Sequence, residues 1–143
     1  MKDKLLYTTK ELFDSYLRGK YYTIPEYQRG YKWETKDIDC LLKDINNFSK
    51  NDDLDLFYCL QNITLVENKD SFNVVDGQQR LTTLAIILSY LGGYSLINEK
   101  IQYNIRKETE EFLKEYIYKS SNIKTIENWD QLLSISSLEN KDY

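Results

Sequence analysis

Residues 74–80, Val74-Val75-Asp76-Gly77-Gln78-Gln79-Arg80, carry the densest polar chemistry in this 143-residue chain. Two β-branched residues hand over to an Asp-Gly pair, then to two amides and an arginine, ahead of the apolar run Leu81 to Leu91. That order predicts a strand turning sharply into a helix, whose first backbone N–H groups are unpaired with the positive end of the dipole behind them. Such an end attracts phosphate. Gly77 keeps side-chain bulk away from the backbone, the Gln78 and Gln79 amides add donors, and Arg80 offers a planar fork matched to phosphate oxygens. Asp76 repels phosphate unless a cation such as Mg²⁺ bridges them, so the grouping reads as a phosphate seat with a metal at Asp76. A plainer reading uses the same residues. Asp76 as N-cap with Gln79 three residues later satisfies a capping box, in which both side chains merely close the helix end.

A second constellation is Ile24-Pro25-Glu26-Tyr27-Gln28-Arg29-Gly30-Tyr31-Lys32-Trp33. It combines an arginine, an amide, a lysine and several aromatic rings, a mixture suited to holding phosphate and stacking a base. Gln28 and Arg29 are the stronger candidates, because a polar loop after a strand has no core duty for them. Tyr31 and Trp33 are candidate base platforms. In a chain with 13 Tyr, 5 Phe and 2 Trp, however, packing has the stronger claim on any single ring.

Composition narrows the chemistry. The chain has no histidine, which excludes Ser/His/Asp and Cys/His triads, His-ligated zinc and a histidine-dependent nuclease centre within it. Nineteen basic against 23 acidic residues give a net charge of -4, so coating by nucleic-acid phosphates is disfavoured. A local surplus survives between Arg18 and Lys36, where Arg18, Lys20, Arg29, Lys32 and Lys36 face only Glu26 and Glu34. Cys40 and Cys59 form no CxxC pair and lie on segments that read as buried helix and buried strand, which points to reduced thiols. The N-terminus lacks the apolar run of a signal peptide and no stretch approaches a membrane span, so a cytoplasmic protein with no membrane partner is expected.

These groups need elements to position them. Thr8-Thr9-Lys10-Glu11 fits a capping box at the start of a short helix that Gly19 closes. Tyr21 to Ile24 is strand-prone and Pro25 ends it. Ile38, Leu41, Leu42, Ile45 and Phe48 recur at helical spacing over residues 34–48. Residues 56–66 read as a strand, 67–71 as a turn and 72–75 as a second strand, forming a hairpin that leads into Asp76. Leu81 to Leu91 is apolar on nearly every helical face, which predicts a central buried helix ending at Gly92-Gly93. A strand over 100–105 and a helix over 107–118 with Phe112, Leu113, Tyr116 and Ile117 as its stripe follow. Residues 1–119 are thus expected to form the domain, and 120–143 a polar tail that starts a region cut from a longer protein.

IPEYQRGYKW, FYCLQNITLV, FNVVDGQQRLTTLAIILSYL and IQYNIRKETEEFL together resemble the N-terminal domain of GmrSD-type restriction proteins, over roughly residues 5–118. The resemblance implies an α+β fold of the ParB/sulfiredoxin-like kind, a small mixed sheet packed with helices, with a nucleotide over the turn formed by Asp76 to Arg80. It implies a bacterial antiphage protein that recognises modified foreign DNA, binds or hydrolyses NTP (GTP, ATP or CTP) with Mg²⁺, and cuts through a C-terminal nuclease domain or subunit. Carried over by position, Arg80 and Arg29 would neutralise phosphate, Gln78 and Gln79 would orient oxygens or the attacking water, and Asp76 would hold Mg²⁺ or that water, with Gln28 beside Arg29. The histidine-bearing nuclease half is missing from this sequence, so nuclease activity is not expected of it. Two rival readings stand beside this one: a non-enzymatic module in which the basic 18–36 region and the Arg80 turn hold a DNA backbone or a partner's acidic surface, and a metal-dependent nuclease pairing Asp76 with Glu26 or another acid.

Overall fold

A computed structural model describes residues 6–14, 16–51, 56–92, 97, 99–104 and 107–117. Its elements are α1 (Thr9–Phe13), β1 (Tyr21–Ile24), α2 (Thr35–Ser49), β2 (Thr64–Glu67), β3 (Ser71–Asp76), α3 (Gln78–Tyr90), β4 (Ile101–Tyr103) and α4 (Lys107–Phe112), which runs into a π-helical turn at Leu113–Ile117. The protein is therefore mixed α+β, with a four-stranded sheet in the order β2-β3-β1-β4. Strand β1 pairs parallel with both β3 and β4, while β2 and β3 form an antiparallel hairpin.

Local chemistry accounts for most of these boundaries. The Thr8 hydroxyl accepts from the Glu11 amide at 3.2 Å and the Glu11 carboxylate accepts from the Thr8 amide at 2.9 Å, closing the amino end of α1 reciprocally. That helix stops at Phe13, earlier than the expected close at Gly19. Asp14 leaves helical backbone, and the chain turns so that both Phe13 and Leu17 enter the core. Gly19, at φ +85°, serves the turn into β1. On β1, Tyr22, Thr23 and Ile24 are all buried, as a strand covered on both faces requires. Lys20 clamps the sheet below: its ammonium donates to Glu67 Oε1 at 2.7 Å and to the Asn68 carbonyl at 2.9 Å, and lies 5.2 Å from the centre of the Phe72 ring.

The core joins Tyr22, Ile24, Phe72 and Val74 of the sheet to Leu81, Leu84 and Ala85 of α3, with Phe13, Leu17, Ile101, Tyr103, Leu113 and Ile117 around them. Helix α3 is the central element, and its polar positions are also buried and bonded. Thr82 shares a hydrogen bond with the Tyr103 hydroxyl at 2.8 Å, and the Ser89 hydroxyl donates to the Ile117 carbonyl. Its carboxyl end is Leu91, followed by Gly92 at φ +97°.

Several further expectations are corrected. Residues 56–63 are not strand: β2 begins only at Thr64, because the preceding residues lie mostly exposed and have no partner strand to satisfy their backbone. Cys59, in that exposed segment, and Cys40, on a helix of which only Leu41 is buried, are therefore exposed free thiols instead of buried ones. Helix α2 forms as expected, but only Leu41 of its stripe is fully buried and Leu42 is turned outward. The helix expected over 107–118 changes to π-helical winding after Phe112, with Leu113 and Ile117 buried. The tail at 120–143 and Tyr118 lie outside the described residues. None of the described helices is long and apolar enough to cross a membrane.

Candidate functional site

The sheet register brings three chain segments to one end. Because β1 runs parallel to β3 with Thr23 beside Asn73, the loop after β1 rises next to the turn after β3. Because β2 is antiparallel to β3 with Thr64 opposite Asp76, the residues just before β2 arrive at the same place. Parallel strands open their ligand crevices at the carboxyl ends, where helices begin. Here that end holds a cleft of about 400 Å³ lined by Arg29, Trp33, Gln61, Asn62, Asp76, Gly77, Gln78, Gln79 and Arg80.

The helix end is open. Gly77, not Asp76, occupies the N-cap position, with φ 89° and ψ 10°, and no side chain caps the amides that follow. The self-closed arrangement, in which Asp76 and Gln79 seal the helix start, is thus replaced by one that leaves the first N–H groups to the cleft. Gly77 is required for a different reason from the one its sequence suggested. A Cβ there would stand 3.1 Å from Ile63 Cγ1, 3.2 Å from Ile63 Cα and 3.3 Å from the Asn62 carbonyl, so the residue lets two backbone segments pass closely.

The two glutamines tie α3 to the loop after β1. Gln79 Oε1 accepts from the Lys32 amide at 2.6 Å and the Trp33 amide at 3.3 Å, while its Nε2 donates to the Gly30 carbonyl at 2.8 Å. Gln78 Nε2 donates to the Arg29 carbonyl at 2.6 Å, leaving the buried Gln78 Oε1 without a partner. Backbone at 29–33 is therefore held against the helix start by two buried amides, which defines where the Arg29 side chain departs. Gln28 reinforces the clasp: its Nε2 donates to the Val75 carbonyl at 2.6 Å, and it does not line the cleft. Tyr31 also sits apart from the cleft. Its hydroxyl shares a 2.7 Å hydrogen bond with Thr83, whose Oγ1 donates in turn to the Gln79 carbonyl at 2.8 Å. Burial raises the Tyr31 pKa above its ordinary value, the Thr83 hydrogen bond opposes that, and the Asp37 carboxylate adds to it.

Of the two candidate rings, then, only Trp33 lines the cleft. Arg80 spans to the segment before β2, with Nη1 donating to the Asn62 carbonyl at 3.3 Å and Nη2 to Gln61 Oε1 at 2.5 Å. Among the described residues, neither Arg29 nor Arg80 is in an ion pair, so two guanidiniums face the one carboxylate of the lining, Asp76. Lys20 and Lys36 of the basic 18–36 region are already paired, with Glu67 at 2.7 Å and Glu34 at 2.9 Å. Glu26 is exposed and does not line the cleft, and no group of three His, Cys, Asp or Glu able to hold a metal occurs among the described residues. A cation here fits only a site in which Asp76 supplies one oxygen and a phosphate and water the rest.

Gln61 and Asn62 were missed by reading residue types, because the run from Leu56 to Val66 looks like continuous strand. The signal was the polar Gln-Asn pair interrupting that run just before the hairpin, opposite Asp76.

Comparison with curated proteins and with solved structures finds no match. Comparison with protein families matches residues 9–143 to the GmrSD restriction endonuclease, N-terminal domain. The match takes in the loop after β1, the 56–63 segment and the Gly77 turn alike, so the chain belongs to the GmrSD restriction endonuclease N-terminal domain family.

Proposed function

We propose that the cleft binds the phosphates of a nucleoside triphosphate and promotes its hydrolysis, within a bacterial restriction protein that defends against phage. One observation carries this reading: an uncapped helix start opens into a cleft lined by two arginines and a single carboxylate, Asp76, and neither arginine is in an ion pair among the described residues. Backbone N–H groups of α3 and the helix dipole would hold one phosphate. Arg80 and Arg29, approaching from opposite segments, would balance the remaining negative charge and any that develops in the transition state. The Gln79 amide is spent on the loop backbone, so its contribution is to keep Arg29 and Trp33 in place. Gln78 keeps an unpartnered oxygen for a water or a ligand donor. Asp76, exposed at the cleft, would hold Mg²⁺ or orient water; bound Mg²⁺ would offset phosphate charge. Phosphoryl transfer asks mainly for position and electrostatics, so the lack of histidine is no obstacle.

The ParB/sulfiredoxin-like relationship, modified DNA as the sensed target and a C-terminal nuclease partner belong to the same proposal and rest on the family resemblance; the domain span 1–119 rests only on where the pattern of elements along the sequence ends. A cytoplasmic setting is supported by two exposed free thiols.

The test is calorimetric titration of GTP, ATP and CTP with and without Mg²⁺, paired with phosphate-release assays, on wild type, Arg29→Ala, Arg80→Ala and Asp76→Ala. Loss of one charged phosphate contact should weaken binding ~10-fold or more for each arginine. Equal binding by wild type and both arginine variants, or no binding at all, would remove the proposal.

A further inference from the structure

The segment before β2 has no place in the reading above, yet it contacts the cleft arginine directly. We infer that Gln61 is a positioning residue: a neutral acceptor that holds the Arg80 guanidinium at the cleft wall while leaving its charge free for a phosphate. The inference rests on the proposed phosphate role of the cleft.

Three observations converge on it. The Arg80 fork is held at two points, by Gln61 Oε1 and by the Asn62 carbonyl, and both acceptors are uncharged. A carboxylate at this position would form an ion pair and cancel one of the two positive charges facing the cleft. Gln61 also adopts φ +71°, a left-handed conformation that costs a residue with a side chain and that glycine would take freely. Its side chain is exposed and has no packing role to justify that cost. What the conformation does is place Gln61 on the cleft lining beside Arg80. Finally, Ile63 and Asn62 lie against Gly77, so the segment that fixes Arg80 is seated on the same turn that starts α3.

The test uses the 143-residue chain with Gln61→Gly and Gln61→Glu, three readouts and two probes, inorganic pyrophosphate and ATP. In the free protein, ¹⁵N spectra of the Arg80 Nη groups report whether the guanidinium is held. Gln61→Gly should broaden or lose those signals and weaken pyrophosphate and ATP binding ~5-fold, the worth of one lost orienting hydrogen bond. The same variant should leave Tm unchanged or raise it by ~3 °C, since the left-handed strain is relieved. A purely structural role predicts a lower Tm instead. Gln61→Glu should keep the Arg80 signals and yet bind either probe ~10-fold more weakly, because the charge is now paired. Unchanged Arg80 signals in Gln61→Gly overturn the positioning claim alone. Gln61→Glu binding within twofold of wild type overturns the charge argument. Wild-type protein that takes up neither probe overturns the phosphate role and the proposed function with it.

Discussion

Replacing Gly77 with alanine separates two costs that the structure assigns to this one position. The first is conformational: at φ +89° an L residue with a Cβ pays about 1–2 kcal/mol. The second is steric. The new methyl would meet Ile63 Cγ1 at 3.1 Å, Ile63 Cα at 3.2 Å and the Asn62 carbonyl at 3.3 Å. Two of these are backbone atoms that cannot rotate away, so the 62–63 segment must shift by a few tenths of an ångström, at a cost of about 1–3 kcal/mol for overpacking. Gly19 supplies the control, because it has φ +85° with nothing within 4 Å of a built Cβ. Gly19→Ala should therefore pay the conformational cost alone. Measured by urea and thermal unfolding, Gly77→Ala should lose about 2–5 kcal/mol and on the order of 10 °C in Tm, about twice the loss of Gly19→Ala. The displaced 62–63 backbone would also pull the Asn62 carbonyl from Arg80, so anion binding should weaken beyond what instability explains. If Gly77→Ala costs no more than Gly19→Ala, the close passage of the β3–α3 turn over the segment before β2 is wrong, and the account of how Arg80 is placed goes with it.

Three further outcomes follow from the same contacts. Gln79→Ala strips the buried partners from the Gly30 carbonyl and the Lys32 amide, and should destabilise the fold by about 2–4 kcal/mol with a red shift in tryptophan fluorescence as the 29–33 loop loosens; an unshifted spectrum would contradict the clasp. Tyr31→Phe deletes only the hydroxyl bonded to Thr83 and should cost about 1 kcal/mol in urea unfolding with phosphate binding unaltered, since the ring lies off the cleft. Burial first, and the neighbouring Tyr16 second, push the Tyr22 pKa well above its ordinary value, so its contribution is complete below pH ~10 and is lost as pH rises further. Stability measured between pH 9 and 11.5 should fall by up to about 1.4 kcal/mol per pH unit from this group. Tyr22→Phe should flatten that slope while losing the 2.7 Å hydrogen bond to the Leu12 carbonyl at neutral pH.

Much of this molecule can be read in the amino-acid order because it depends on residues a few positions apart. Thr8 and Glu11 cap each other across three residues, Tyr21 to Ile24 form a strand that Pro25 must end, and the apolar run after Arg80 needs only helical periodicity to bury itself. The polar cluster at 76–80 and the Gln28-Arg29 pair could likewise be picked out by type alone. Their meeting could not. It follows from the parallel pairing of β1 with β3, which sets residues about 50 positions apart side by side, as when Gln78 reaches the Arg29 carbonyl. The exposed coil at 56–63 illustrates the same limit from the other direction. Its β-branched and aromatic residues favour a strand, but backbone hydrogen bonds need a neighbour, and the register of β2 on β3 supplies one only from Thr64 onward. Tertiary structure likewise decided that glycine opens α3, that Gln79 faces a loop instead of its own helix, and that Gln61 meets Arg80. Each of these is a choice between partners of similar local merit, and only the joint burial of sheet and helix selects among them.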